Sequence, residues 1–169
     1  AMGGFVTTYN YVGFRLADPP FDLGQAAVGA IFVVYLSGIL ASPLAGRAAD
    51  RFGRVPVIVA GTALSALGLL VTLPASLVAV ILGIALLTAG FFAAHAAASG
   101  WIGLLARTDV GHASSLYLLA YYLGSSIAGS LGGFFWTHGG WGAVVGFVAA
   151  LHGAAMVAAV VLGRIMRGP

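Results

Sequence analysis

Between Arg54 and Arg107 the chain runs 52 residues without an Asp, Glu, Lys or Arg, and between Asp109 and Arg164 it does so again for 54. A helix that crosses the hydrocarbon core of a bilayer takes about 20 apolar residues. Each run therefore has room for two crossings and a tight turn, and is too long for a single element of a water-soluble core. The charges mark where the chain leaves the membrane. Hydrophobic residues are 61% of the chain and charged residues 7%, where a soluble domain carries about 25% charged. The chain has no cysteine, which excludes a disulfide frame and thiol chemistry. Its seven basic residues are arginines set in short loops, unlike the clustered face of a nucleic-acid binder.

Six crossings are expected, at about residues 4–16, 24–45, 56–73, 76–105, 113–136 and 142–162. Pro56 suits a helix start, Pro74 makes a turn, and residues 137–140 make another. Alternate loops hold Arg47, Arg51 and Arg54, then Arg107, then Arg164 and Arg167; the opposite set holds Arg15, offset by Asp18 and Asp22. The positive-inside rule puts the arginine-rich set in the cytoplasm, and an even number of crossings puts both chain ends there too. The first segment has about 16 residues before Asp18, or about 24 Å of helix against a core of about 30 Å. Its natural helix is expected to start upstream of Ala1.

After the second segment the chain reads Gly46-Arg47-Ala48-Ala49-Asp50-Arg51-Phe52-Gly53-Arg54. Gly46 and Gly53 allow a tight turn, and Asp50 can accept hydrogen bonds from arginines and from N–H groups at a helix start. This stretch resembles the loop motif Gly-x-x-x-Asp-Arg-x-Gly-Arg of the major facilitator superfamily, which follows the second helix of each six-helix half. The match covers Gly46, Asp50, Arg51, Gly53 and Arg54. Phe91–His95, Ser99–Gly103, Ser114–Tyr117 and Tyr121–Gly129 extend the resemblance to nearly the whole chain, and toward a bacterial efflux branch.

The resemblance implies an all-α membrane protein, a six-transmembrane-helix bundle forming half of a major facilitator fold with a 3+3 inverted repeat. Residues 1–169 are then one transmembrane domain, equivalent to the last six helices of a twelve-helix carrier. It implies alternating-access transport of a small-molecule substrate, in the efflux direction, across a bacterial cytoplasmic (inner) membrane. The partners implied are the lipid bilayer and the N-terminal six-helix half, with possible coupling to protons; no enzyme, cofactor or metal is implied. It also assigns Asp50, Arg51 and Arg54 to a cytoplasmic gate.

By the same resemblance the first and fourth segments line a cavity between the halves. The first offers a polar run, Thr7 to Tyr11, from which Thr8, Asn10 and Tyr11 are cavity candidates; the Asn10 amide needs partners in lipid. The fourth offers Thr88, His95 and Ser99 at i, i+7 and i+11, one helix face. His95 reads either as a substrate or proton handle, or as a neutral side chain bonded to a neighbouring helix. Tyr117 and Tyr121 of the fifth segment read either as ligand-stacking or as packing residues. Gly124, Ala128 and Gly132 are spaced for close helix packing, and Trp101, Trp136 and Trp141 read as interfacial anchors. No Asp or Glu lies within a segment, so a coupling acid is expected in the other half unless His95 takes part. An intramembrane serine protease built on Ser99-Gly100 and His152 is a competing reading, but Ala97 stands where its glycine should be. A channel subunit, the third reading, lacks a ring of charge.

Overall fold

The computed structural model describes residues 1–106 and 109–166, and every regular element in it is helical. α1 is Met2–Ala17. α2 (Gln25–Ile31), a 3-10 turn (Phe32–Tyr35) and α3 (Leu36–Phe52) follow one another as one rod, Gln25–Phe52. α4 is Arg54–Val71, α5 Leu77–Leu105 and α6 Val110–Ile165. Among the described residues four helical stretches are long and apolar enough to cross a membrane, where six were expected. α1 has 16 residues and falls short on length, and α6 joins the fifth and sixth expected segments.

α6 is not one straight rod. Gly140, at φ 60° and ψ −152°, stands in a backbone region that is essentially glycine-only, and it separates 30 helical residues from 25. The chain folds back there. The rings of Phe135 and Phe147 stack with centroids 4.5 Å apart, whereas residues 12 apart in a straight helix lie about 18 Å apart. The expected turn at residues 137–140 is thus reduced to a single glycine.

The other correction concerns the arginine motif, expected as a loop from residue 46. α3 continues through Gly46, Asp50 and Arg51 to Phe52, and Gly53 alone joins it to α4. Gly53 takes φ 92° and ψ 158°, again a glycine region, so the reversal is complete in one residue. Gly46 is simply helical, and a Cβ added to it would meet nothing within 4 Å, so it has no part in the turn. Arg107 and Arg167, counted in the charge bias above, lie outside the described residues.

Lipid removes the hydrophobic drive between helices, so close van der Waals contact must hold them together. Glycines supply it. Gly61 and Gly68 of α4 face Gly83 and Gly90 of α5, where a Cβ on Gly61 would come 2.8 Å from the Gly90 carbonyl oxygen. The first limb of α6 meets α1 as the small-residue spacing predicts: a Cβ on Gly3 would lie 2.6 Å from that of Ala128. The second limb packs Val144, Val145 and Val148 with Phe5, Val12, Leu16, Leu69 and Leu87 in one core. Outward faces stay apolar and exposed, as at Leu40 and Leu116.

Candidate functional site

Four helical segments contribute to one aromatic face. α5 presents Thr88, Phe91 and His95 at i, i+3 and i+7, a single stripe. The Nδ1 of His95 and the hydroxyl of Tyr117 are 2.8 Å apart, which ties α5 to the first limb of α6. His95 also stacks on Phe91 and Tyr117, with centroids 5.8 Å away in each case, and Tyr121 lies 5.0 Å away. The ring is half-buried, and among the described residues its Nε2 has no hydrogen-bond partner. When Tyr117 donates to Nδ1, Nε2 carries the proton and offers a free donor.

The face continues onto α1 and the 3-10 turn. Thr88 Oγ1 donates to the Ile84 carbonyl at 2.7 Å, so the Tyr9 hydroxyl, 2.6 Å away, must donate to Thr88. Tyr9 in turn meets Phe32 and Tyr35, with centroids 5.3 and 5.6 Å away. Phe5 stacks on Phe91 at 4.2 Å. The result is a sheet of rings with hydroxyl and imidazole groups along it and no carboxylate, lysine or arginine among them. Rings of this kind present large, stiff contact area with polar tips, suited to a small organic molecule.

Of the eight cavity candidates, Thr88, His95, Tyr117 and Tyr121 fall in this cluster. Asn10 is exposed and borders two other hollows, one with Phe14 and Phe32, the other with Tyr11, Ser125 and Ser126. Ser99 is exposed. Thr8 is fully buried and donates to the Gly4 carbonyl, while the half-buried Tyr11 borders the second of these hollows and its hydroxyl donates to the Gly129 carbonyl at 3.0 Å. Both serve the packing of α1. Phe5, Phe32, Tyr35 and Phe92 were not singled out from sequence. Their signal was there, as ring pairs at helical spacing: Phe5/Tyr9, Phe32/Tyr35, Phe91/His95 and Tyr117/Tyr121.

At the α3–α4 joint, Asp50 Oδ1 accepts from the Arg54 guanidinium at 2.6 Å, across Gly53. The same guanidinium lies 3.0 Å from where a Cβ on Gly100 would stand, so that glycine makes room for it on α5. Asp50 remains 71% exposed and Arg54 21%. Arg51 is exposed and lies over the Phe52 ring.

Two further constellations escaped the sequence reading. Arg15, read as a loop charge, donates to the carbonyls of Thr72, Leu73 and Pro74 just beyond α4, and stacks on the rings of Phe21 and Trp141. Trp141 is no interfacial anchor; it is buried and donates to Thr72 Oγ1 at 3.1 Å. His152, fully buried, donates from Nδ1 to the Val148 carbonyl, so Nε2 accepts from Ser65 Oγ at 2.9 Å. That pairing commits His152 to Ser65 and not to Ser99, its partner in the protease reading.

Residues 1–168 match the model of the Major Facilitator Superfamily. The inner membrane transport protein YnfM of Escherichia coli (strain K12) is 48% identical over 148 residues, covering 88% of this chain and 36% of that protein. The uncharacterized MFS-type transporter YybF of Bacillus subtilis (strain 168) is 42% identical over 147 residues, 87% of this chain and 36% of its own length. An uncharacterized transporter of Buchnera aphidicola subsp. Schizaphis graminum is 41% identical over 147 residues, again 87% and 36%. The chain thus spans about a third of the length of these curated relatives. No solved structure matches it.

Proposed function

Since this chain belongs to the major facilitator superfamily, we propose that it is the second six-helix half of a secondary transporter that moves a small solute by alternating access, in the efflux direction. It is a multi-pass protein of a bacterial inner membrane. The six-crossing, 3+3 reading is supported by the fold-back at Gly140, which makes two limbs of α6, and by the place of α1 against the first of them. The partner is the N-terminal half, and both chain ends of this half are cytoplasmic, as the arginine bias argues. Arg51→Cys and Gly139→Cys should then label from opposite sides of the membrane; labelling from one side ends the six-crossing reading.

The observation that carries the transport reading is the His95–Tyr117 pair, set in a ring-lined face shared by four helical segments. Substrate lies against that face, with the Nε2 of His95 and the phenol groups as handles. Asp50, Arg51 and Arg54 act at the gate, supported by the Asp50–Arg54 bond at the joint. If His95 holds substrate or a coupled proton, His95→Ala in the full-length protein changes apparent affinity or its dependence on pH between about 5.5 and about 8, with folded protein retained. Parallel pH profiles at equal affinity would sink the role.

A further inference from the structure

A hollow of about 490 Å³ opens between α3 and α4 over the middle of α5, and includes none of the residues of the His95 face. Its walls are apolar throughout, among them Leu44, Ala48 and Phe52 from α3, Val57 and Ala60 from α4, and Ala93 from α5. Along α3 its lining follows a single stripe from Ala41 to Phe52. That stripe rises about 16 Å, roughly half of a hydrocarbon core of about 30 Å, which is the depth of one leaflet.

The end of the groove at Phe52 is charged. The Arg51 guanidinium carbon lies 5.1 Å from the centre of the Phe52 ring, which lines the groove, and Arg47 stands one turn before Arg51 on the same helix flank. Both arginines are exposed, and among the described residues neither has a carboxylate partner; Asp50 is held by Arg54.

We propose that the groove seats one acyl chain of an anionic phospholipid, with the phosphate at Arg47 and Arg51. The slot has the depth and apolarity of a single chain's environment, and the Arg51 guanidinium stands at its Phe52 end. Arginine meets phosphate with paired N–H donors, and basic pockets between helices at a membrane surface hold anionic headgroups. Small residues on the floor, Ala60, Gly61, Ala89 and Ala93, leave the chain its room. The proposal is independent of the substrate, since the groove and the His95 face share no residue.

The test uses the purified full-length protein, equilibrated with equal amounts of phosphatidylglycerol and phosphatidylethanolamine, with retained lipid counted by native mass spectrometry. The unaltered protein should keep phosphatidylglycerol preferentially. The double variant Arg47→Gln/Arg51→Gln should lose that preference by about tenfold, the scale of one charge-assisted hydrogen bond. Ala60→Phe, which fills the slot and leaves the arginines alone, should lower retention as much; Ala89→Leu fills the same floor should Ala60→Phe fail to fold. Equal retention by all variants overturns the proposal, as does an unaltered protein that keeps no lipid. Loss in the arginine variant but not in the filled ones marks a surface headgroup contact or bound free phosphate, and overturns the acyl-chain seat.

Discussion

Arg15 lies over the ring of Trp141, its guanidinium carbon 5.1 Å from the centroid, while its N–H groups reach carbonyls beyond the end of α4. One side chain of α1 thereby holds the end of α4 and the start of the second limb of α6. Helix ends leave carbonyls without partners, and a cation there is favourable on both counts.

Arg15→Ala should therefore lower thermal stability. Hydrogen bonds to charged groups contribute about 1.5–3 kcal/mol, and the partial exposure of this site puts the loss toward the lower end. Arg15→Lys keeps the charge but not the fork, and should recover less than half of it. An unchanged melting temperature in both would remove the capping role.

The glycines of the motif should separate. Gly53→Ala places a side chain in a glycine-only backbone region and should cost about 1–3 kcal/mol, as should Gly140→Ala. Gly46→Ala enters open space within a helix and should leave this half no less stable, since alanine is the better helix former by about 0.5–1 kcal/mol. Thermal unfolding of the three variants checks the order.

The Asp50–Arg54 pair is mostly exposed on the acid side, so it contributes at most about 1 kcal/mol here. Asp50→Asn should leave the melting temperature nearly unchanged. A strong loss of transport in the same variant would then locate the partner that matters in the other half. Unchanged transport would reduce the motif to a topological signal.

His152 and Ser65 form a buried pair between the second limb of α6 and α4. Bonds of this kind between membrane helices average about 0.6 kcal/mol. A double-mutant cycle with His152→Gln and Ser65→Ala should show a coupling of that order in stability, with transport per folded molecule unaffected. A pH-dependent change in transport kinetics would instead give His152 a functional part.

Much of the architecture was legible from charge and run length. α4 and α5 fall within two residues of the expected bounds, because apolar length and flanking charge dictate where a chain can enter lipid. The end of α3 was misplaced by seven residues, since arginines mark the aqueous side but not the end of the helix, which Gly53 decides. Tertiary partners were out of reach. Nothing near His152 in sequence announces Ser65, 87 residues away, and nothing near Trp141 announces Thr72. For the candidate site, helical spacing brought Thr88 and His95 to one stripe, whereas Thr8 and Tyr11 were read from the polar run of a segment that resembles a cavity-lining helix. Tyr11 closes on Gly132 and bonds the Gly129 carbonyl, and Thr8 is fully buried, and the local sequence announces neither.

The fold-back at Gly140 bears on the order of assembly. Phe135 and Phe147 are near neighbours in the chain, and so are the facing glycines of α4 and α5, so each hairpin closes over a short loop soon after it is synthesised. α1 reaches Phe32 and Tyr35 through Tyr9, but its close-packed seat lies much further along the chain. Gly3 packs on Gly124 and Ala128, and Gly4 on Val148 and His152, contacts that cannot form until both limbs of α6 have been made. Until then α1 lacks that close-packed seat, so its docking on α6 is secured later than the contacts within either hairpin.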